Sequence, residues 1–178
     1  MPRRLIDLAL EPERVRVTSS SKVEPEERYI CLSHCWGKVR SRHLTTATTL
    51  KANERGIAVA ELPRTFQDAI AFSRRLGVRF LWIDSMCIIQ GDDQDWGEQS
   101  GQMADIYHNA YLTLAASAAL DDEGGLFVPR STSHEAKLIQ VHDDGKPGTA
   151  YAREELPHPW STNCTLPLLS RAWVFVSA

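Results

Sequence analysis

The chain has no long apolar run. Nothing among its 178 residues approaches the roughly 18 consecutive apolar residues that a membrane-spanning helix needs. The N-terminal MPRRLIDLALEPER has basic residues but no continuous apolar core, so it does not read as a secretory signal. Residence in the cytoplasm is the expectation. Basic excess is also missing. The net charge is −3, whereas binding through phosphate contacts takes a surplus of Lys and Arg, so a nucleic-acid partner is not expected. Neither G-x-x-x-x-G-K-[ST] nor G-x-G-x-x-G occurs, which excludes a P-loop and the usual dinucleotide fingerprint. G-x-S-x-G is absent too, so the serine-hydrolase elbow is excluded. Cysteine is sparse, at four residues: Cys31, Cys35, Cys87 and Cys164. In a reducing compartment these are free thiols. His34 lies between Cys31 and Cys35, but no second Cys/His pair follows at finger-like distance, so no structural zinc is expected.

Hydrophobic residues make up 43% of the chain and charged residues 24%, a composition that supports one folded domain. Residues 1–28 are mostly polar and read as an N-terminal arm: a short strand or extended segment, then a loop. Tyr29–Ser33 is a short apolar run of buried-strand type, closed by the turn at Gly37. A short helix is expected around Thr48–Arg55, stopped by Gly56. A longer one begins near Pro63, where a missing N–H costs nothing, and Thr65 with Asp68 resembles a capping box. Phe66, Ala69, Ile70 and Ser73 then fall on one helical face, and Gly77 ends the helix.

Val78–Asp84 is the second strand, and a helix from near Asp93 or Asp95 buries Met103, Ile106, Tyr107 and Ala110. Tyr111–Ala116 is the third strand, and the part beyond residue 130 is irregular. Strand, helix, strand, helix, strand predicts an α/β fold with a mainly parallel sheet flanked by helices. Its expected core is Ile30, Leu32, Phe66, Ile70, Leu81, Ile83, Ile106 and Leu114.

Three segments resemble the blocks of a known family: YICLSHCWG over Tyr29–Gly37, LPRTFQDAI over Leu62–Ile70, and LGVRFLWIDSMCIIQ over Leu76–Gln90. Asp95, Trp96, Glu98, Met103, Ile106, Tyr107, Ala110 and Tyr111 fit the block that follows. Several blocks in order over residues 2–175 are far more specific than any one of them. The chain is similar to the heterokaryon-incompatibility domain of filamentous fungi. Leu169–Phe175 (LSRAWVF) resembles the closing block, which in the family continues into a Gln-Glu pair and a further helix. Here Val176-Ser177-Ala178 follows, so residues 29–178 are expected to hold the domain without its end.

The resemblance implies a role in non-self recognition that triggers programmed cell death, beside sensor or other incompatibility proteins. The family has been compared with Toll/interleukin-receptor (TIR) domains, flavodoxin-like sheets that in several lineages hydrolyse NAD. That comparison implies a TIR-like fold and an NAD(P) glycohydrolase-like reaction, with NAD as substrate and no cofactor. The alternative is a signalling module without chemistry that kills by self-association.

In open parallel sheets ligands bind beyond the carboxyl ends of the strands. Ser33, Asp84 and Glu98 are the candidate catalytic residues there, and His34, Trp36 and Ser85 the candidate ligand contacts. Glu98 suits a carboxylate that stabilises a ribosyl cation or orients water. The bland alternative is an acid favoured by a helix N-terminus. For Asp84 the alternatives are a ribose or catalytic contact and a turn acid at a strand end. His34 is a loop polar group or a ligand contact. Trp36 is a pocket wall or core.

Overall fold

The computed structural model describes residues 1–37, 43–127, 137–143, 146–152 and 167–170. It divides into two units, the second holding an antiparallel hairpin of Lys137–Asp143 and Lys146–Ala152. The main unit is built on six strands: β1 (Arg4–Glu11), β2 (Arg14–Ser19), β3 (Tyr29–Ser33), β4 (Ile57–Ala58), β5 (Phe80–Ile83) and β6 (Leu112–Ala115). Their order across the sheet is β4-β2-β1-β5-β3-β6.

Strands β5, β3 and β6 are parallel, as the alternation of strands and helices predicts. The sheet as a whole is mixed and not mainly parallel. β1 runs antiparallel to both β2 and β5, and β2 antiparallel to β4. The added strands come from the segment read as an arm. Residues 4–19 form a hairpin that extends the sheet, with Leu5, Ile6, Val15 and Val17 in the core. Of the polar residues that suggested an arm, Arg4 and Asp7 are buried, each paired with opposite charge. Asp7 accepts hydrogen bonds from Arg79 at 2.9 and 3.0 Å and from Arg16 at 3.1 Å. Such pairing is what allows charge inside a fold.

Helix α1 (Leu50–Arg55) ends at Gly56, as expected. Helix α2 (Arg64–Arg75) buries Phe66, Ala69, Ile70 and Ser73, the face its spacing gives. Its end is a Schellman motif: Gly77 at φ +75° donates to Arg74 O, and the Val78 N–H reaches Ser73 O. Its start differs from the expected capping box. Thr65 Oγ1 and Asp68 Oδ2 accept from the N–H groups of Gly125 and Leu126, both at 2.9 Å. The Thr65 N–H in turn donates to Asp122 O at 3.0 Å. The first turn of α2 therefore holds the loop after β6, which accepts from the Arg64 and Thr65 N–H groups, while Phe66 donates to Pro63 O.

After β5 come the one-turn α3 (Asp84–Cys87), α4 (Asp93–Gly101) and α5 (Met103–His108). Asp92 caps α4 by accepting from the N–H groups of Gln94 and Asp95. Trp82 meets Tyr107 of α5 edge to face, and Tyr29 Oη and Cys31 Sγ both donate to Ile106 O. His34 meets Phe66 of α2. Helices α2 and α5 thus cover opposite faces of the parallel strands. Seven of the eight expected core residues are buried; Leu114 is only partly so, because β6 is an edge strand. No helix among the described residues is long and apolar enough to cross a membrane.

Candidate functional site

After β3 the chain forms the edge strand β4 and then pairs along one side of β3 as β5; it returns along the other side of β3 as β6. That reversal is a switch point, and the crevice it opens lies beyond the carboxyl ends of the strands. Ser33 ends β3, with His34 and Trp36 just after it; Asp84 and Ser85 open the turn of helix on β5. The sequence motifs YICLSHCWG and FLWIDS therefore arrive at the same edge, because β3 and β5 are parallel neighbours paired Leu32 to Ile83.

Asp84 is the hub of this edge. The Trp36 indole N–H donates to its two oxygens at 3.0 and 3.2 Å. The Ser85 N–H donates to Oδ1 at 2.7 Å. His34 Nδ1 stands 3.9 Å from Oδ1. The group is nearly closed to water, with Asp84 7% and His34 1% exposed. Ser33 is buried at the strand end, and the buried Ser85 hydroxyl has no hydrogen-bond partner among the described residues. Loop contacts fix the floor: Thr45 donates its N–H to Ser85 O at 3.1 Å, and the Gln90 side chain donates to Ile88 O at 3.0 Å. Gly37, at φ +77°, is needed as it stands. A Cβ there would sit 2.6 Å from the Cβ of Asp121.

Glu98 stands differently from the other candidates. Its carboxylate is 46% exposed and accepts from Arg3 at 2.9 Å and from Gln94 at 3.0 Å. Five of the six candidates, Ser33, His34, Trp36, Asp84 and Ser85, occupy the ends of β3 and β5, while Glu98 lies on α4 in a surface ion pair.

Two residues that sequence reading did not assign to the site, Arg4 and Asp95, tie the segment after β5 to β1. Asp95 is buried and pairs with Arg4. It also accepts from the Ile89 N–H at 2.7 Å and from Arg3 at 3.3 Å. Arg4 Nε donates to Cys87 O at 2.9 Å. These contacts bind the start of β1 to the segment after β5. The signal for them was the adjacent Arg3-Arg4 ahead of an apolar stretch, with nothing in one sequence to say which acid they meet.

Cys31 and Cys87 are not disposed for nucleophilic chemistry. Burial pushes the Cys87 thiol up to about 12, and burial raises Cys31 further. Cys31 faces α5 and His34 faces α2, so they do not converge. Among the described residues there is no group of three His, Cys, Asp or Glu side chains able to hold a metal. Cys164, Arg171 and Trp173 lie outside the described residues.

No solved structure matches the chain significantly. The family model for heterokaryon incompatibility protein (HET) matches residues 29–176. The chain is also similar to heterokaryon incompatibility protein 6, OR allele, of Neurospora crassa. Identity is 27% over 110 residues, which cover 58% of this chain and 16% of that protein. The chain thus corresponds to a small part of that relative's length. The edge built by β3, the start of α2 and the end of β5 falls within the matched residues, and the chain belongs to the heterokaryon-incompatibility (HET) family.

Proposed function

We propose that this chain carries the effector domain of a fungal incompatibility response, acting in the cytoplasm to trigger cell death by hydrolysing NAD or a related nucleotide. The observation that supports this reading is the Asp84 carboxylate, held by the Trp36 indole and the Ser85 N–H at the switch point of the parallel strands. Cleaving an N-glycosidic bond needs a fixed carboxylate beside the anomeric carbon. As neutral nicotinamide departs with the bonding electrons, the ribosyl group becomes cationic. The carboxylate stabilises that charge, water adds, and a proton is released. Dipoles already in place make such stabilisation effective, since nothing need reorganise during the reaction. Of the two candidate carboxylates we assign this role to Asp84, because it stands at the end of β5, whereas Glu98 lies on α4 in a surface ion pair with Arg3. Ser33 and Ser85 supply hydroxyls for the ribose, and His34 and Trp36 contact the ligand.

The test is nicotinamide release from NAD by the purified protein. Asp84→Asn is expected to lower the rate at least ~100-fold, the usual scale for losing a group aimed at transition-state charge. Glu98→Gln is expected to stay within ~3-fold, as suits a surface ion pair. The reverse ranking would move the catalytic role to Glu98.

The second reading, a signalling module without chemistry that acts by self-association, draws on the near-complete closure of Asp84 and His34 from solvent. In that case NAD is untouched, and the protein that kills is the one that assembles in light scattering.

A further inference from the structure

A polar cavity of about 180 Å³ is lined by residues of β1 and β2 and shares no lining residue with the Asp84 edge. Its charged lining is Arg16, Lys22 and Arg79 against Asp7 and Glu54, a surplus of one positive charge in a chain of net −3. Asp7 already accepts four hydrogen bonds: two from Arg79, one from Arg16 and one from the Ala9 N–H. A carboxylate has about four acceptor positions, so Asp7 has none left for other donors. Arg16 Nε is buried, yet finds no acceptor among the described residues. That nitrogen is closed to solvent, so an anion in the cavity meets the Arg16 Nη groups, one of which also donates to Asp7. The Thr18 and Ser19 side chains stand at the same wall, and the cavity is the right size for a small oxyanion with its substituent.

We infer that this cavity binds a small phosphate-bearing anion, with Arg16 and Lys22 as its principal contacts. Phosphate matches the donor set because guanidinium and ammonium groups bind it through charge-assisted hydrogen bonds, and hydroxyls fill the remaining oxygen positions. Arg79 is a positioning residue. By its bidentate pair with Asp7 it fixes the carboxylate that Arg16 also binds.

Isothermal titration at fixed ionic strength tests this with inorganic phosphate and adenosine monophosphate as separate ligands. Saturable one-to-one binding of at least one of them is expected. Tighter binding of adenosine monophosphate assigns a nucleotide source, and equal binding assigns free phosphate. Arg16→Gln is expected to weaken affinity at least ~10-fold, in keeping with the loss of a charge-assisted contact. Arg16 also touches Asp7, so Lys22→Met serves as the second variant. It is an exposed residue whose loss should leave the unliganded Tm unchanged and lower affinity ~3- to 10-fold. No saturable heat with either ligand, or wild-type affinity in the Lys22 variant, overturns the assignment. Nicotinamide release by both variants should equal wild type, so failure here and failure of the nucleotide-hydrolysis reading are read separately.

Discussion

The Asp95 carboxylate is as buried as much of the apolar core, yet it is fully engaged by Arg4, Arg3 and the Ile89 N–H. Removing one member of a buried pair leaves the other charge unpaired, which costs about 3–5 kcal/mol. Asp95→Ala is therefore expected to lower stability by that order in chemical denaturation. Glu98→Ala, three residues on and 46% exposed, is expected to change it by about 0.5 kcal/mol or less. Equal losses would show that Arg3, not Arg4, is the important partner. Asp7 makes the fold sensitive to acid. Burial raises its carboxyl, but hydrogen bonds from Arg79, the Ala9 N–H and Arg16 outweigh it, and the pKa falls from 3.8 to about 2. The contribution is therefore full above pH 3.8 and disappears as pH falls through 2. It amounts to on the order of 1–2 kcal/mol, since both arginines are partly in water. Denaturant midpoints from pH 5 to pH 2 should fall less steeply in Asp7→Asn than in wild type. Cys31 and Cys87 stay protonated at pH 8, because burial raises both. Thiol reagents are expected to modify them only after unfolding, as peptide mass mapping would show.

Among the elements, α2 was the most legible in sequence. The spacing of Phe66, Ala69, Ile70 and Ser73 and the glycine at 77 carry its face and its end. Its first turn was not, since Thr65 and Asp68 bond residues nearly 60 positions away, and a single sequence carries no sign of such a partner. Strands β3 and β5 were legible as apolar runs. β1 and β2 were not, because Arg4, Asp7 and Arg16 stand at strand positions and are neutralised only by tertiary pairing. The convergence of Ser33, His34, Trp36, Asp84 and Ser85 at one edge followed from topology alone; Trp36 binding Asp84 did not. Arg74, in the last turn of α2, holds the β1–β2 hairpin by donating to the carbonyls of Leu8, Glu11, Pro12 and Arg14. A lysine has one charged nitrogen and cannot reproduce this fork. Arg74→Lys and Arg74→Ala are both expected to destabilise by about 2 kcal/mol, because several backbone acceptors lose a charged donor. Full rescue by lysine in thermal unfolding would reduce the contact to simple charge.

At the scale of the molecule, the family match begins at residue 29, but the sheet does not. β1 lies between β2 and β5, and Leu5, Ile6, Val15 and Val17 are fully buried. A version starting at residue 29 would uncover the β5 edge and these partners' contacts, at about 1.5–3 kcal/mol for each large side chain. Total stability is commonly only about 5–15 kcal/mol, so that version is expected to be unfolded by circular dichroism and proton NMR while the longer chain is folded. The same placement governs how the protein emerges during synthesis. The β1–β2 hairpin is made before β5, and Ile6 finds Leu81 only when the ribosome has advanced through the whole of α1 and α2. For that interval the nascent chain carries an open strand edge, which is a template for pairing with other chains. Arg4 lies on that strand without its later partner, Asp95, while Asp7 has Arg16 of the same hairpin but not yet Arg79. Unpaired charge discourages a foreign strand from docking there. The residues that lock the finished sheet thus also guard its unfinished edge.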